Sequence, residues 1–201
     1  MNGTSNLSGG NATDILRAAF AEQHRIGVSL LGDPQFLQDI TAMSDAIERC
    51  LRSHGTLFFA GNGGSAAAAS HFATEMVGRF RRERGGFRAI SLSADAALLT
   101  ALANDYPGSE LFARQLAALG RPGDVLVCLT TSGRSPNIVA AVARAAALRI
   151  LPITLCGAYT DQLRGRGIVI SVPSSDTPRI QEAHHLVLHA MAEQVEQRLV
   201  G

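Results

Sequence analysis

Between Phe58 and Ser65 the chain reads Phe-Phe-Ala-Gly-Asn-Gly-Gly-Ser, an apolar run tied to a glycine turn with a helix-forming segment behind it. Thr56 to Ala60 is short and apolar enough for a buried strand. Gly61, Gly63 and Gly64 permit a tight reversal, and Ala66 to Phe80 is rich in helix formers. A strand that enters a helix through such a turn leaves backbone N–H groups exposed at the helix start, where the positive end of the helix dipole adds to them. The stretch therefore predicts an anion cradle, and it commits the chain to a fold in which strands alternate with helices. A nucleoside-triphosphate loop is excluded, because no lysine precedes Ser65. A dinucleotide fingerprint could use Gly61, Gly63 and Ala66, but no clear acidic residue ends a second strand roughly 20 residues further on.

The alternation continues along the chain. Ile15, Leu16, Ala19, Phe20, Ile26, Val28, Leu30 and Leu31 predict a first helix, and Asp33-Pro34 restarts the chain into a second that ends near His54-Gly55. Further strands are expected at Ala89 to Leu92, Val125 to Leu129, Leu151 to Leu155 and Ile168 to Val172. Between them fall a helix capped by Asp95, one capped by Ser109, one from Pro136 to Leu148 and a short one near Asp161; a long closing helix starts at about Thr177. The expected fold class is α/β, a three-layer αβα doubly wound sheet of five parallel strands, flavodoxin-like, with two N-terminal helices. Residues 1–11, rich in Gly, Ser, Asn and Thr, read as a disordered tail, and 12–201 as one domain.

Composition narrows the chemistry. A formal charge of +1 with scattered arginines argues against nucleic-acid and polybasic membrane partners. No apolar run is long enough to span a bilayer and the start lacks a secretory layout, so the expected location is cytoplasmic. Cys50, Cys128 and Cys156 are few, odd in number and apolar in context, which reads as buried free thiols. All 18 basic residues are arginine. Schiff-base chemistry through a lysine is thereby excluded, pyridoxal phosphate enzymes included, and reactivity must come from His, Glu, Asp, hydroxyls or a metal.

In doubly wound folds ligands lie at the carboxyl ends of the strands. There the sequence offers the glycine loop, the hydroxyl loop Thr130-Thr131-Ser132-Gly133-Arg134-Ser135, and Asn104-Asp105, which can reach the same crevice. Ser65, Thr130, Ser132 and Ser135 are the expected phosphate contacts. Ordinary turn and cap chemistry accounts for one such loop, less readily for two that converge. Further along the first loop's helix, His71 and Glu75 share one face at a spacing of four. Near the end of the chain Gln181, His185 and His189 form a stripe on the last helix. Helical histidines are more often surface or core residues than ligands. Together, however, His71, Glu75, Gln181 and His189 make a nitrogen and oxygen donor set that suits zinc or a similar divalent ion.

Gly61-Asn62-Gly63-Gly64-Ser65, His71-Phe72-Ala73 with Glu75 and Gly78-Arg79, Asn104-Asp105, Thr131-Ser132-Gly133 with Ser135-Pro136-Asn137, and Arg179-Ile180-Gln181-Glu182 with His184 and His189 together resemble the phosphoheptose isomerases of the sugar isomerase (SIS) domain class. The resemblance runs in order from about Ala12. It implies one zinc per subunit bound by His71, Glu75, Gln181 and His189. It also implies sugar and phosphate contacts at Asn62, Gly63, Gly64, Ser65, Glu75, Asn104, Asp105, Thr130, Thr131, Ser132, Ser135 and Gln181, and a homotetramer with active sites at subunit interfaces. The implied reaction converts sedoheptulose 7-phosphate to D-glycero-D-manno-heptose 7-phosphate through an enediol, in heptose biosynthesis. Proton transfer between C1 and C2 needs a base and an acid, for which Glu75 and His189 are the candidates. Two positions depart from the family pattern: Ala68, commonly Asp, and Arg134, commonly Asn. The arginine- and alanine-rich composition also resembles that of high-GC bacteria in which related enzymes act on eight-carbon ketose phosphates. Other relatives of the class bind a replication initiator or sense sugar phosphates, and these often lack the Glu or the last His; this chain keeps both.

Overall fold

The computed structural model describes residues 11–200, so the expected tail lies outside the described residues except for Asn11, whose side chain accepts from the Thr13 N–H and caps the first helix. That helix, α1 (Ala12–Leu31), is followed by α2 (Pro34–Arg52), with Pro34 in its first turn and Asp33 as the N-cap. Then come β1 (Leu57–Gly61), α3 (Gly64–Val77), β2 (Ala89–Ser91), α4 (Ala96–Asp105), α5 (Glu110–Leu119), β3 (Val125–Thr130), α6 (Pro136–Ala147), β4 (Leu151–Cys156), β5 (Ile168–Ser171) and α7 (Thr177–Val200).

Among the described residues the five strands are all parallel, in the order β2-β1-β3-β4-β5. Alternate residues of β1 and β3 point to opposite faces, and each face has its own core. Leu57, Phe59, Val125, Val127 and Leu129 pack under α1, α2, α3 and α7; Phe58, Ala60, Leu126 and Cys128 pack under α5 and α6. The sheet is thus sandwiched between helical layers, as the doubly wound expectation requires. The strand order reverses direction between β1 and β3, and their carboxyl-end loops diverge there to open a crevice.

Two local expectations fail. Residues near Asp161 form turns and no helix, because Gly165 at φ +75° and Gly167 at φ +131° take backbone conformations that a helix cannot hold. Ser109 stands at the start of α5 but makes no side-chain cap bond. The three cysteines are buried and free, and burial pushes the Cys156 thiol up to about 12 and the Cys50 thiol to about 11. No helix among the described residues is long and apolar enough to cross a membrane.

Candidate active site

Two loops at the β1/β3 crevice build one end of the site. Gly61 has no room for a side chain, since a Cβ there would run into the Ser65 backbone, and Gly63 sits at φ +54°. At Gly64 a Cβ would lie 2.7 Å from Nε2 and 3.0 Å from Oε1 of Gln181, so the last helix rests its amide directly on the glycine turn. Among the described residues the N–H groups of Gly63 and Gly64 bond to nothing, while Ser65 N–H is taken by the Asn62 carbonyl and Ala66 N–H by Gly63. Two free donors at a helix start are what an incoming anion needs.

The hydroxyl loop faces this turn. Thr130 and Ser135 place their hydroxyl oxygens 3.5 Å apart, Ser132 Oγ accepts from the Arg134 N–H at 3.2 Å, and the Thr177 hydroxyl donates to Thr131 Oγ1 at 3.4 Å. A clasp joins the two loops: Asn62 Nδ2 donates to Asn137 Oδ1 at 2.9 Å and Asn137 Nδ2 donates back to Asn62 Oδ1 at 2.8 Å. Asn137 belongs to the family pattern, but no local spacing rule singles it out as a site residue, since its partner is 75 positions away. Arg134 turns from the hydroxyls and lays its guanidinium over Tyr159, 4.1 Å from the ring centroid.

The other end lies two to three turns along α3, where α7 crosses it. His71 Nε2 and His189 Nε2 are 3.2 Å apart, although 118 residues separate them, and Glu75 Oε1 is 3.7 Å from His71 Nε2. Phe80 stacks on the His189 ring at 5.6 Å, 17° from parallel. Burial, and after it the neighbouring His71 and His185 rings, hold the His189 pKa below the ordinary imidazole value, with Glu75 opposing. The third member of the stripe, His185, turns back to bond its Nδ1 with the Gln181 carbonyl at 3.0 Å. Among the described residues no three His, Cys, Asp or Glu side chains stand as a ready-made metal cluster. Ala68, 3% exposed, belongs to the apolar core beneath α3.

The last two candidates stay apart. Asn104 and Asp105 end α4, exposed, with Asn104 Nδ2 donating to Asp105 Oδ1 at 2.8 Å, and no hydrogen bond among the described residues joins them to either loop.

A glycine turn whose N–H donors find no partner among the described residues, a facing hydroxyl loop and a His/Glu pair on the same helix thus gather at the carboxyl end of a doubly wound sheet, the place where such folds bind ligands. The SIS domain family model matches residues 34–156. Phosphoheptose isomerase of Burkholderia pseudomallei (strain K96243) is 40% identical over 184 residues, 91% of this chain and 93% of that protein. The phosphoheptose isomerase of Methylibium petroleiphilum is 45% identical over 166 residues, covering 79% and 83%. The solved phosphoheptose isomerase of Neisseria gonorrhoeae superposes with a TM-score of 0.85 at 34% identity over 93% of this chain and 100% of that one. The chain belongs to the phosphoheptose isomerase family.

Proposed function

We propose that this enzyme interconverts sedoheptulose 7-phosphate and D-glycero-D-manno-heptose 7-phosphate, a ketose–aldose isomerisation in heptose biosynthesis. One observation carries the reading: α3 begins in an anion cradle and, about 10 Å along its axis, presents His71 to His189, with Glu75 next to His71 one turn further on. The side chains lean back toward the helix start, so an extended seven-carbon phosphate can lie along the helix with its phosphate at Gly63, Gly64, Ser65, Thr130, Ser132 and Ser135 and its carbonyl end at the pair. Binding energy from the phosphate then positions the reacting carbons.

Glu75 takes the proton from one of C1 and C2 and returns it to the other. His189 serves as acid and hydrogen-bond donor at the carbonyl oxygen, where negative charge builds in the enediolate. Asn62, Thr131 and Gln181 hold sugar hydroxyls, and Asn104 and Asp105 complete the sugar contacts. His71, Glu75, Gln181 and His189 would hold zinc. The 3.2 Å between the two imidazole nitrogens supports that fit, because two nitrogens about 2.0–2.1 Å from a tetrahedral zinc stand about 3.3 Å apart. A bound zinc supplies Lewis-acid polarisation of the substrate carbonyl. Glu75 and His189 can each ligate through one atom and keep a second oxygen or ring nitrogen for the proton.

The enzyme works in the cytoplasm as a homotetramer with active sites at subunit interfaces. Apolar surface supports the assembly: Ile15, Leu16 and Phe20 of α1 are 65%, 57% and 69% exposed, and an apolar groove of about 300 Å³ between α1, α2 and α7 is lined by Ile26, Phe36, Ile40 and Leu186. The test is an NMR assay of the purified protein with sedoheptulose 7-phosphate, before and after chelation and with zinc restored. Conversion to the seven-carbon aldose phosphate, lost on chelation and recovered with zinc, is the expected result. No conversion at full zinc loading overturns the substrate assignment and directs the assay to an eight-carbon ketose phosphate.

A further inference from the structure

Beyond the residues that would touch substrate, one buried charged pair joins the two helices of the site. Glu196 follows His189 by seven residues, two turns further along α7, and Arg84 lies in the segment that returns from α3 toward β2. Their side chains are 1% and 2% exposed, and Arg84 Nε donates to Glu196 Oε1 at 2.9 Å. The carboxylate also accepts three consecutive backbone N–H groups, from Phe80 at 2.8 Å, Arg81 at 2.7 Å and Arg82 at 2.9 Å. The guanidinium spends its other donors on carbonyls at the end of α3. Nη2 bonds the Glu75 carbonyl at 2.8 Å, and Nη1 reaches Met76 at 2.9 Å, Gly78 at 3.2 Å and Gly85 at 3.1 Å.

Arg84 thus closes the last turn of α3, the turn that begins with Glu75, and Glu196 fastens the segment behind it to α7. A buried ion pair is poor stabilisation compared with apolar packing of the same volume, while its directional bonds specify one arrangement. Here that arrangement includes Phe80, whose N–H is held by Glu196 and whose ring stacks on His189. Burial pushes the Glu196 carboxyl up, but the three backbone donors and Arg84 outweigh it and hold the pKa below the usual carboxylate value, so the group is charged at neutral pH.

We infer that Arg84 and Glu196 are positioning residues of the isomerase: by locking the last turn of α3 and the Phe80 segment onto α7, they set the separation of Glu75 from His189. The inference rests on the roles proposed above for those two side chains. Buried as they are, neither Arg84 nor Glu196 is placed to touch substrate. Their effect is confined to the reacting end, because the phosphate cradle is built at the opposite end of α3 from the β1 and β3 loops.

The experiment compares wild type, Glu196→Gln, Arg84→Lys and Glu75→Gln as full-length proteins, each assayed well below its own melting temperature with folded fraction and assembly checked. Both pair variants should lose about 10–100-fold in kcat per folded molecule, the range expected when a supporting hydrogen bond behind a reactive group is removed, with KM for the sugar phosphate changed less than about threefold. A purely structural role predicts a lower Tm with wild-type kcat, and that result overturns the proposal. If Glu196→Gln does not fold, Arg84→Lys carries the test; if neither folds, Phe80→Leu does, a milder change at the contact with His189, and an unchanged kcat there overturns the proposal. Glu75→Gln separates the two levels. Full activity in that variant defeats the catalytic reading itself, whereas an inactive Glu75→Gln beside fully active pair variants defeats only the positioning role.

Discussion

The two ends of α3 are made in different ways. Its first turn is a property of the local backbone: Gly61, Gly63 and Gly64 supply the reversal, and the Gly63 and Gly64 N–H groups, without a partner among the described residues, follow from the way any helix begins. Its last turns acquire chemistry only from elsewhere in the chain, since His71, with Glu75 beside it, meets His189 from α7, and Arg84 and Glu196 hold the two helices together. The first end would bind an anion on almost any βα unit. The second exists only when the whole fold has closed, and it is there that we propose proton transfer. Binding and turnover should therefore separate under mutation.

The largest effect belongs to the reacting end. Glu75→Gln and His189→Ala should each lower kcat by about 10³-fold or more, the scale of a lost general base or acid, with Tm and oligomeric state near those of wild type in calorimetry and light scattering. Wild-type turnover in either variant would remove its catalytic assignment. At the cradle end, Gly133→Ala forces a side chain onto the Tyr159 carbonyl at φ +64°, and should cost about 2–4 kcal/mol of stability, read by denaturant unfolding. An unchanged midpoint would show that the hydroxyl loop gives way without cost.

The fold was legible where physics is local. Strands buried on both faces announce themselves as unbroken apolar runs, and β1, β3 and β4 fall within a residue of their expected bounds. The helix expected near Asp161 does not form because Gly165 and Gly167 hold positive φ, a property that residue type permits but does not reveal. Within the site, the i, i+4 pairing of His71 with Glu75 could be seen in the sequence, and so could the two hydroxyl and glycine loops. The Asn62–Asn137 clasp and the Arg84–Glu196 pair could not, because each joins positions 75 and 112 residues apart through side chains whose types are unremarkable alone. Family likeness, which carries such tertiary information implicitly, named the class; the comparisons bear it out.

A smaller effect tests the frame that carries α7. His184 is 1% exposed and among the described residues neither ring nitrogen is bonded; desolvation, with a smaller push from the His185 ring, lowers its pKa to about 4 against a weaker opposing pull from the Cys156 backbone. At pH 7 the ring is mostly neutral whether the chain is folded or unfolded. Below about 6.5 the unfolded chain takes a proton that the folded one refuses, so stability falls with pH down to about 4. At pH 5 this one group should have cost about 2 kcal/mol. His184→Leu should therefore lose less Tm than wild type between pH 7 and pH 5; parallel losses would free His184 of responsibility. The smallest change is expected from Asn137→Ala, which opens the clasp between the two loops: KM should rise about threefold to tenfold, about 1 kcal/mol for one neutral hydrogen-bonded contact, with kcat little altered.

The division between the two ends is tested most directly by running the reaction in D2O with sedoheptulose 7-phosphate and following it by NMR, for wild type and Glu75→Gln side by side. Wild type should form the aldose phosphate with deuterium at C2, since an enediol intermediate exchanges its migrating proton with solvent through Glu75. Glu75→Gln should still bind the sugar phosphate, seen as line broadening of the phosphorus signal, yet incorporate no deuterium. Deuterium entering at the wild-type rate in Glu75→Gln would contradict the account, and place the base elsewhere than on α3.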